Sequence, residues 1–219
     1  MTRSGAAEAA RIILEANAVY TRVGGDPFFF SSGWASPVFI DIKKLISFPV
    51  ARDRLVALAL EHIEREFGFD GFEQIAGCEL AGIPFATIVA DRLKLPMVVA
   101  KKQSRGFGRL AQLEGAFEPG ARTLLIDDLT TDGQTKATFR GALEAAEANV
   151  VGVFVMLDYG IFPGRTKVSS LMMLSEVIEA AADGDFLAAR ALETVRAFGA
   201  DAPLWSRGNG GIGSVGAQR

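Results

Sequence analysis

The sequence predicts an α/β protein with a doubly wound, mostly parallel sheet and a small N-terminal hood. From residue 73 onward, short apolar runs alternate with helical stretches, which is typical of parallel strands joined by crossover helices. Residues 123–126 and 150–157 are apolar at successive positions, as in strands covered on both faces. In residues 26–42, aromatic and β-branched residues flank Ser-Gly and Ser-Pro pairs, which favours two short strands and a turn.

Apolar residues at helical spacing predict the helices. The first, over residues 6–17, is rich in alanine and has one apolar face. Further helical stretches cover residues 50–67, 83–94, 134–148 and 175–198, and strands lie between them at 73–77, 96–100, 123–128, 149–157 and 171–174.

The length of 219 residues suits one domain with a small appended lobe. We divide the chain into an N-terminal helix and hood (1–45), an α/β core (46–205) and a glycine-rich tail (206–219). The composition of the tail predicts that it is flexible.

The composition excludes several classes of function. With 23 basic and 26 acidic residues the net charge is −3, which argues against nucleic acid or an anionic membrane as a partner. One Cys rules out an intramolecular disulfide framework, and one His argues against a zinc centre or a Ser-His-Asp triad. No apolar stretch reaches the roughly 20 residues of a spanning helix, and the first residues do not read as a signal peptide. We therefore expect a soluble, cytoplasmic protein.

The carboxyl ends of parallel strands are where ligands bind in such sheets, and the run 123–126 leads there directly into Asp127 and Asp128. Two adjacent carboxylates suit a polyol or a divalent cation. A simpler interpretation is that the acids end a strand and that Thr131 or Asp132 caps the next helix. Capping, however, does not need two acids at the end of a central strand.

The turn after the acids is suited to a phosphate monoester. It carries hydroxyl groups and leads into a helix, whose first N–H groups are unpaired and partially positive. Thr131 and Thr135 add donors, and Gly133 lets the backbone approach closely. The segment matches neither GxxxxGK[ST] nor GxGxxG.

Lys101, Lys102, Arg105 and Arg109 place four cations within one short, glycine-containing segment of a slightly acidic protein. Such a segment is expected to be mobile until an anion binds. In isolation, a solvated basic loop explains it equally well. We favour anion binding because the segment follows a strand that ends at the same sheet edge as the acid pair.

Residues 123–135 resemble the 5-phosphoribosyl-1-pyrophosphate (PRPP) motif of type I phosphoribosyltransferases, which has an apolar run, an acidic pair and then T-x-G-x-[ST]. Three further segments resemble orotate phosphoribosyltransferases in the right order. Residues 30–41 look like the hood, 77–84 like the pyrophosphate loop and 101–109 like the flexible catalytic loop. The resemblance spans roughly residues 25–160.

The resemblance implies the type I phosphoribosyltransferase fold and transfer of a phosphoribosyl group from PRPP to orotate, giving orotidine 5'-phosphate and pyrophosphate in pyrimidine biosynthesis. It also implies Mg²⁺ as cofactor and a homodimer in which the catalytic loop of one subunit covers the site of the other. The implied catalytic residues are Lys102, Arg105, Arg109, Asp127 and Asp128, and the implied binding residues are Thr131, Asp132, Gly133, Gln134, Thr135, Glu79, Lys101 and Phe39, with Phe39 stacking on the base.

The sequence departs from the family pattern at several cationic positions. It has Phe107 where many members carry a His, Ser31 and Ala81 where they carry Lys, and Tyr159 where an Arg is common near the base. Arg109 is the candidate to replace the loop His. Two alternatives therefore stay open: a phosphoribosyltransferase for another base, and a regulator of the same fold that senses PRPP without turnover.

Overall fold

The computed structural model describes residues 3–103, 112–163 and 166–214. Within them the strands are β1 (Val19–Thr21), β2 (Phe28–Phe29), β3 (Ala35–Ser36), β4 (Val38–Ile40), β5 (Gln74–Cys78), β6 (Met97–Ala100), β7 (Leu113–Glu114), β8 (Arg122–Thr130), β9 (Asn149–Asp158) and β10 (Ser169–Met173). The helices are α1 (Arg3–Glu15), α2 (Pro49–Phe67), α3 (Gly82–Leu93), α4 (Gln134–Ala145), α5 (Leu174–Asp183), α6 (Ala189–Ala200) and α7 (Ala202–Gly208), with 3-10 helices at Ile42–Ser47 and Phe69–Gly71.

The central sheet has six strands in the order β10-β9-β8-β5-β6-β7. Its neighbouring strands are parallel except for β6 and β7, which pair antiparallel. The strand order reverses beside β5 and β8, which is where doubly wound sheets open a crevice for ligands. The predicted fold class is confirmed.

Helices cover both faces of the sheet, and the strand residues divide accordingly. Leu124 and Ile126 of β8 belong to the apolar cluster formed with α1, α2, α3 and α5. Leu125, between them, belongs to the cluster on the opposite face, which α4 covers. This two-sided burial accounts for the continuous apolar run in the sequence, because successive strand residues point to opposite faces.

The hood consists of two small antiparallel pairs, β1 with β4 and β2 with β3. A tight turn joins β2 to β3, in which the N–H of Gly33 donates to the carbonyl of Phe30. Gly33 has a φ of +91°, a conformation that glycine adopts without steric cost. The next residue, Trp34, is fully buried and anchors the hood to the core.

The structure corrects the expected start of the flexible tail at residue 206. Helix α7 continues to Gly208, and the Ser206 hydroxyl accepts from the Ala35 N–H at 2.9 Å and donates to the Ile212 carbonyl at 2.6 Å. Ile212 in turn donates its N–H to the carbonyl of Gly33. Gly211 permits this close packing, since a Cβ there would lie 2.4 Å from the Ala35 nitrogen. The segment up to Ile212 is thus held on the hood.

None of the helices in the described part of the chain is both long and apolar enough to span a membrane. Arg105 and Arg109 of the expected catalytic loop lie outside the described residues.

Candidate active site

A cleft of about 690 Å³ opens at the carboxyl ends of β5, β6 and β8, beneath the hood. It is lined by most of the residues that the sequence predicted to act together. These are Phe39, Glu79, Lys102, Asp127, Asp128, Thr131, Asp132, Gly133, Gln134 and Thr135.

Lys101 departs from its predicted place. Its ammonium group forms an ion pair with Glu114 of β7 at 2.7 Å, and the residue does not line the cleft. The reason is strand geometry: Lys101 follows β6 directly, and its N–H still pairs with the carbonyl of Gln112 beside β7. Lys102, the next residue, lines the cleft instead.

Asp127 is paired with a buried lysine that sequence reasoning missed. The ammonium group of Lys136, in the first turn of α4, lies 2.5 Å from an Asp127 carboxylate oxygen, and both side chains are almost fully buried. Burial is the largest single effect and would lower the pKa of Lys136, but the charge and hydrogen bond of Asp127, added to the smaller effects of Cys78 and Asp128, raise it. The pair is therefore a salt bridge with Lys136 charged.

The carboxylate charge of Asp128 is less compensated by nearby cations than that of Asp127. Burial and the neighbouring Asp127 charge together raise the pKa of Asp128 to about 7. One of its oxygens accepts from the Leu129 N–H at 2.8 Å, and the nearest ammonium group of the other oxygen is that of Lys43, at 4.0 Å. A buried carboxylate with this little compensation is suited to receive hydroxyl donors or positive charge from a ligand in the cleft.

The turn at the start of α4 has the form of an anion site. Gly133 precedes the helix with a φ of +79°, and a Cβ there would lie 2.6 Å from the Thr166 nitrogen, so only glycine fits without rearrangement. The first N–H groups of α4 follow it, beside Thr131 and Thr135 at the cleft wall. Such a helix start attracts a phosphate group.

Within this turn, both oxygens of the Asp132 carboxylate are occupied by hydrogen bonds from the protein, which argues against direct contact with a phosphate. One of its oxygens accepts from the Trp34 indole N–H and the other from the Gln134 N–H, each at 3.2 Å. Asp132 is only 3% exposed. Its side chain thus ties the hood to the start of α4, which gives a physical reason for an acid at this position.

The two loops expected to meet pyrophosphate are joined by one hydrogen bond. A carboxylate oxygen of Glu79, after β5, accepts from the backbone N–H of Lys102 at 2.8 Å. This contact places the beginning of the expected catalytic loop beside the pyrophosphate loop. Cys78, just before Glu79, is fully buried, and burial raises the pKa of its thiol, so it is a packed residue.

The described residues contain no group of three or more His, Cys, Asp or Glu side chains able to hold a metal ion. The acids of the cleft are hard oxygen ligands of the kind that Mg²⁺ prefers.

Comparison with solved structures supports the fold. The chain is similar to UMP synthase of Leishmania donovani, with a TM-score of 0.76 and 22% identity over 90% of this chain and 43% of that chain. It is also similar to orotate phosphoribosyltransferase of Aeropyrum pernix, with a TM-score of 0.67 and 22% identity over 80% of this chain and 99% of that chain. At this identity the likeness establishes a shared fold.

Sequence comparison goes further. No protein-family model matches the chain. A curated relative, orotate phosphoribosyltransferase of Allorhizobium ampelinum, is 40% identical over 216 residues, which cover 94% of this chain and 93% of the relative. Together with the cleft and its motifs, this similarity over nearly the full length shows that the chain belongs to the orotate phosphoribosyltransferase family.

Proposed function

We propose that the chain catalyses Mg²⁺-dependent transfer of a phosphoribosyl group from PRPP to orotate, giving orotidine 5'-phosphate and pyrophosphate in pyrimidine nucleotide biosynthesis. The observation that carries the proposal is the meeting of an acid pair, a phosphate-binding turn and Lys102 in one cleft, in a chain of this family. The substrates follow from what the relatives are named for.

The 5'-phosphate of PRPP binds at the start of α4. Its charge is met by unpaired backbone N–H groups and by the hydroxyls of Thr131 and Thr135, while Gly133 and Gln134 contribute backbone. The carboxylate of Asp132 supports this turn from behind, through its hydrogen bond to the Gln134 N–H.

The acid pair faces the ribose. Displacement of pyrophosphate from C1 by a ring nitrogen of orotate develops positive charge on the sugar, which carboxylates stabilise more in the transition state than in the ground state. The charge of the Asp128 carboxylate is less compensated by nearby cations, and this carboxylate accepts hydrogen bonds from the ribose hydroxyls. Asp127, held by Lys136, keeps negative charge beneath the sugar.

Negative charge develops on the leaving pyrophosphate, and cations near it lower the barrier. Glu79 positions Lys102 for this contact through its backbone N–H. We assign Arg105 and Arg109 to the same group. We also propose a homodimer in which this loop covers the partner's site and excludes water, which would otherwise hydrolyse the activated sugar.

A magnesium ion carried on PRPP would neutralise charge on the leaving group. Asp127 and Asp128 supply the oxygen ligands of this cleft that suit such an ion, either directly or through its water. The base lies under the hood, with Phe39 stacked on it.

We further propose that the protein works in the cytoplasm. We also propose that residues 1–45 act as the N-terminal helix and hood, and that residues 46–205 act as the core.

The test is turnover by the purified protein. Loss of orotate absorbance is followed with PRPP and Mg²⁺, and the nucleotide product is identified by mass. The matched control is the Asp128→Asn variant, which replaces one carboxylate of the cleft by an amide of the same shape. Formation of orotidine 5'-phosphate by the wild type supports the proposal. Tight PRPP binding without turnover of any base would instead support a sensing regulator, and turnover of another base alone would change the acceptor.

A further inference from the structure

Residues 206–212 form a strap that lies on the hood and is held there by hydrogen bonds. The Ser206 hydroxyl accepts from the Ala35 N–H at 2.9 Å and donates to the Ile212 carbonyl at 2.6 Å. The Ile212 N–H donates to the Gly33 carbonyl at 3.0 Å. The strap therefore binds two peptide groups of the hood, one through each of its ends.

Both of these peptide groups belong to Trp34. The Gly33 carbonyl is part of the peptide that precedes Trp34, and the Ala35 N–H is part of the peptide that follows it. Trp34, Ala35 and Ser206 are fully buried, where a peptide group without a hydrogen bond is costly. The strap thus fixes the backbone on both sides of the indole.

The shapes of the strap and the hood match closely. A Cβ on Gly211 would lie 2.4 Å from the Ala35 nitrogen and equally close to the Ser206 oxygen, so a larger residue would lift the strap. On the other side of the contact, a Cβ on Gly33 would lie 3.2 Å from the Ile212 side chain. Within the described part of the chain, the residues that line the cleft include none from the strap. Any effect of the strap on a ligand must therefore pass through the hood.

Trp34 connects the hood to the turn at the start of α4. Its indole N–H donates to one oxygen of Asp132, and the other oxygen of this buried carboxylate accepts from the Gln134 N–H. The indole ring also packs on Phe162, with ring centroids 4.7 Å apart. A continuous path of hydrogen bonds and one tryptophan therefore runs from the strap to the first residue of α4.

We propose that Ser206 and Ile212 are positioning residues for phosphate binding, because the strap orders the turn at the start of α4 through Trp34 and Asp132. The inference rests on the proposed function, which takes this turn as the site of the ribose phosphate. A turn whose donors are already in place binds an anion more tightly than one that must first be ordered. Loosening the strap therefore weakens phosphate binding without removing a group that touches the ligand.

The test measures the dissociation constant of ribose 5-phosphate by isothermal titration. Ser206→Ala removes the hydroxyl, and Gly211→Ala lifts the strap by steric contact. In each variant we expect the dissociation constant to rise about three- to tenfold, the effect of about one hydrogen bond. The matched control is Gly208→Ala, because a Cβ on Gly208 meets no atom within 4 Å, and it should bind like the wild type. Circular dichroism confirms that each variant is folded at the titration temperature.

A double-mutant cycle separates this path from a general structural role. In a Trp34→Phe background the link to Asp132 is already broken, so adding Ser206→Ala should raise the dissociation constant by less than about twofold. The strap acts on binding before the reaction, so Ser206→Ala should raise the KM for PRPP and leave kcat within about twofold.

An unchanged dissociation constant in both Ser206→Ala and Gly211→Ala would overturn the inference. Equal losses from Ser206→Ala with and without Trp34 would overturn it as well, since the effect would then not pass through the indole. A wild type that does not bind ribose 5-phosphate has no phosphate site for the strap to order, which also refutes it. Weaker binding in the strap variants of a protein that turns over no base supports the inference and contradicts the proposed function.

Discussion

The indole N–H of Trp34 donates to a carboxylate oxygen of Asp132 at 3.2 Å, in the buried region between the hood and the phosphate turn. These residues are far apart in sequence, and their contact joins the hood, which we propose covers the base, to the helix start that we propose holds the phosphate. The other Asp132 oxygen accepts from the N–H of Gln134, the first residue of α4. The hood is thereby positioned by the same side chain that orders the turn.

Replacing Trp34 with Phe tests this link. The variant leaves the buried Asp132 carboxylate without one donor, which should lower the free energy of unfolding by about 1–3 kcal/mol. The KM for PRPP should also rise, because the turn is less ordered. Urea unfolding and steady-state kinetics measure the two effects. Trp205→Phe is the size-matched control away from the cleft, and equal KM values in both variants would contradict the link.

Replacing Lys136 with Met tests the buried ion pair. Asp127 would be left as a buried, uncompensated charge, and we expect a loss of about 3–5 kcal/mol in the free energy of unfolding. Lys101→Met removes a pair whose acid, Glu114, is largely exposed, and should cost at most about 1 kcal/mol. Urea unfolding compares them. Equal losses would mean that the buried pair of Asp127 and Lys136 contributes no more to the free energy of unfolding than the exposed pair does.

Asp128→Asn separates ribose contact from folding. The carboxylate of Asp128 is disfavoured by burial and by Asp127, so the amide should leave the protein as stable or more stable. Turnover should fall by about 30-fold or more, since the charge counts most when the ribose is cationic. The dissociation constant of PRPP should change much less. A loss in binding as large as the loss in kcat would indicate ground-state contact only.

His62 predicts a pH dependence of stability. Its Nδ1 accepts from Arg65 and its Nε2–H donates to Ser169, and burial followed by the Arg65 charge lowers the pKa of His62 to about 4. The unfolded chain takes up this proton near pH 6.5, the folded protein only near pH 4. Stability is therefore complete above pH 6.5 and falls, by up to about 3 kcal/mol, as the pH drops to 4.

Denaturant unfolding between pH 4 and pH 8 checks this, with His62→Gln as the comparison. The glutamine variant should lose less stability than the wild type between pH 6.5 and 4. Parallel curves for the two proteins would show that His62 does not contribute.

Mixed dimers test the shared catalytic loop. Lys102→Ala and Asp127→Asn/Asp128→Asn proteins should each be nearly inactive, and their mixture should regain part of the activity if one site draws on two subunits. Native mass spectrometry confirms that subunits exchange. Complete exchange without recovery would contradict the shared loop, and unchanged turnover in Arg109→Ala would remove Arg109 from the mechanism.

The sheet and the position of the cleft were predictable because both depend on local patterns. Apolar runs of strand length mark buried strands. The helices between them indicate parallel strands, whose carboxyl ends lie at the same edge of the sheet. Asp127, Asp128 and Gly133 could be identified because they follow such a run directly. Family motifs then pointed to Glu79 and Lys102, which the structure brings into the same cleft.

Tertiary contacts account for what sequence reasoning missed. Periodicity does not show that Lys136, at the start of a polar-looking helix, faces a buried acid, although its position after the phosphate turn was a usable signal. Nor does composition show that Ser206 and Ile212 bind the hood, since low complexity reads as flexibility. Strand β7 is too short for a pattern and depends on pairing with β6.

The most direct test of the whole account is a competition assay. The wild-type protein is given PRPP, Mg²⁺ and equal concentrations of orotate, uracil, adenine and hypoxanthine, and the nucleotides formed are separated and identified by mass. We predict orotidine 5'-phosphate as the dominant product, and no product when the divalent cation is removed by excess chelator. A different nucleotide as the main product, or none from any base by a protein that binds PRPP, would contradict the account.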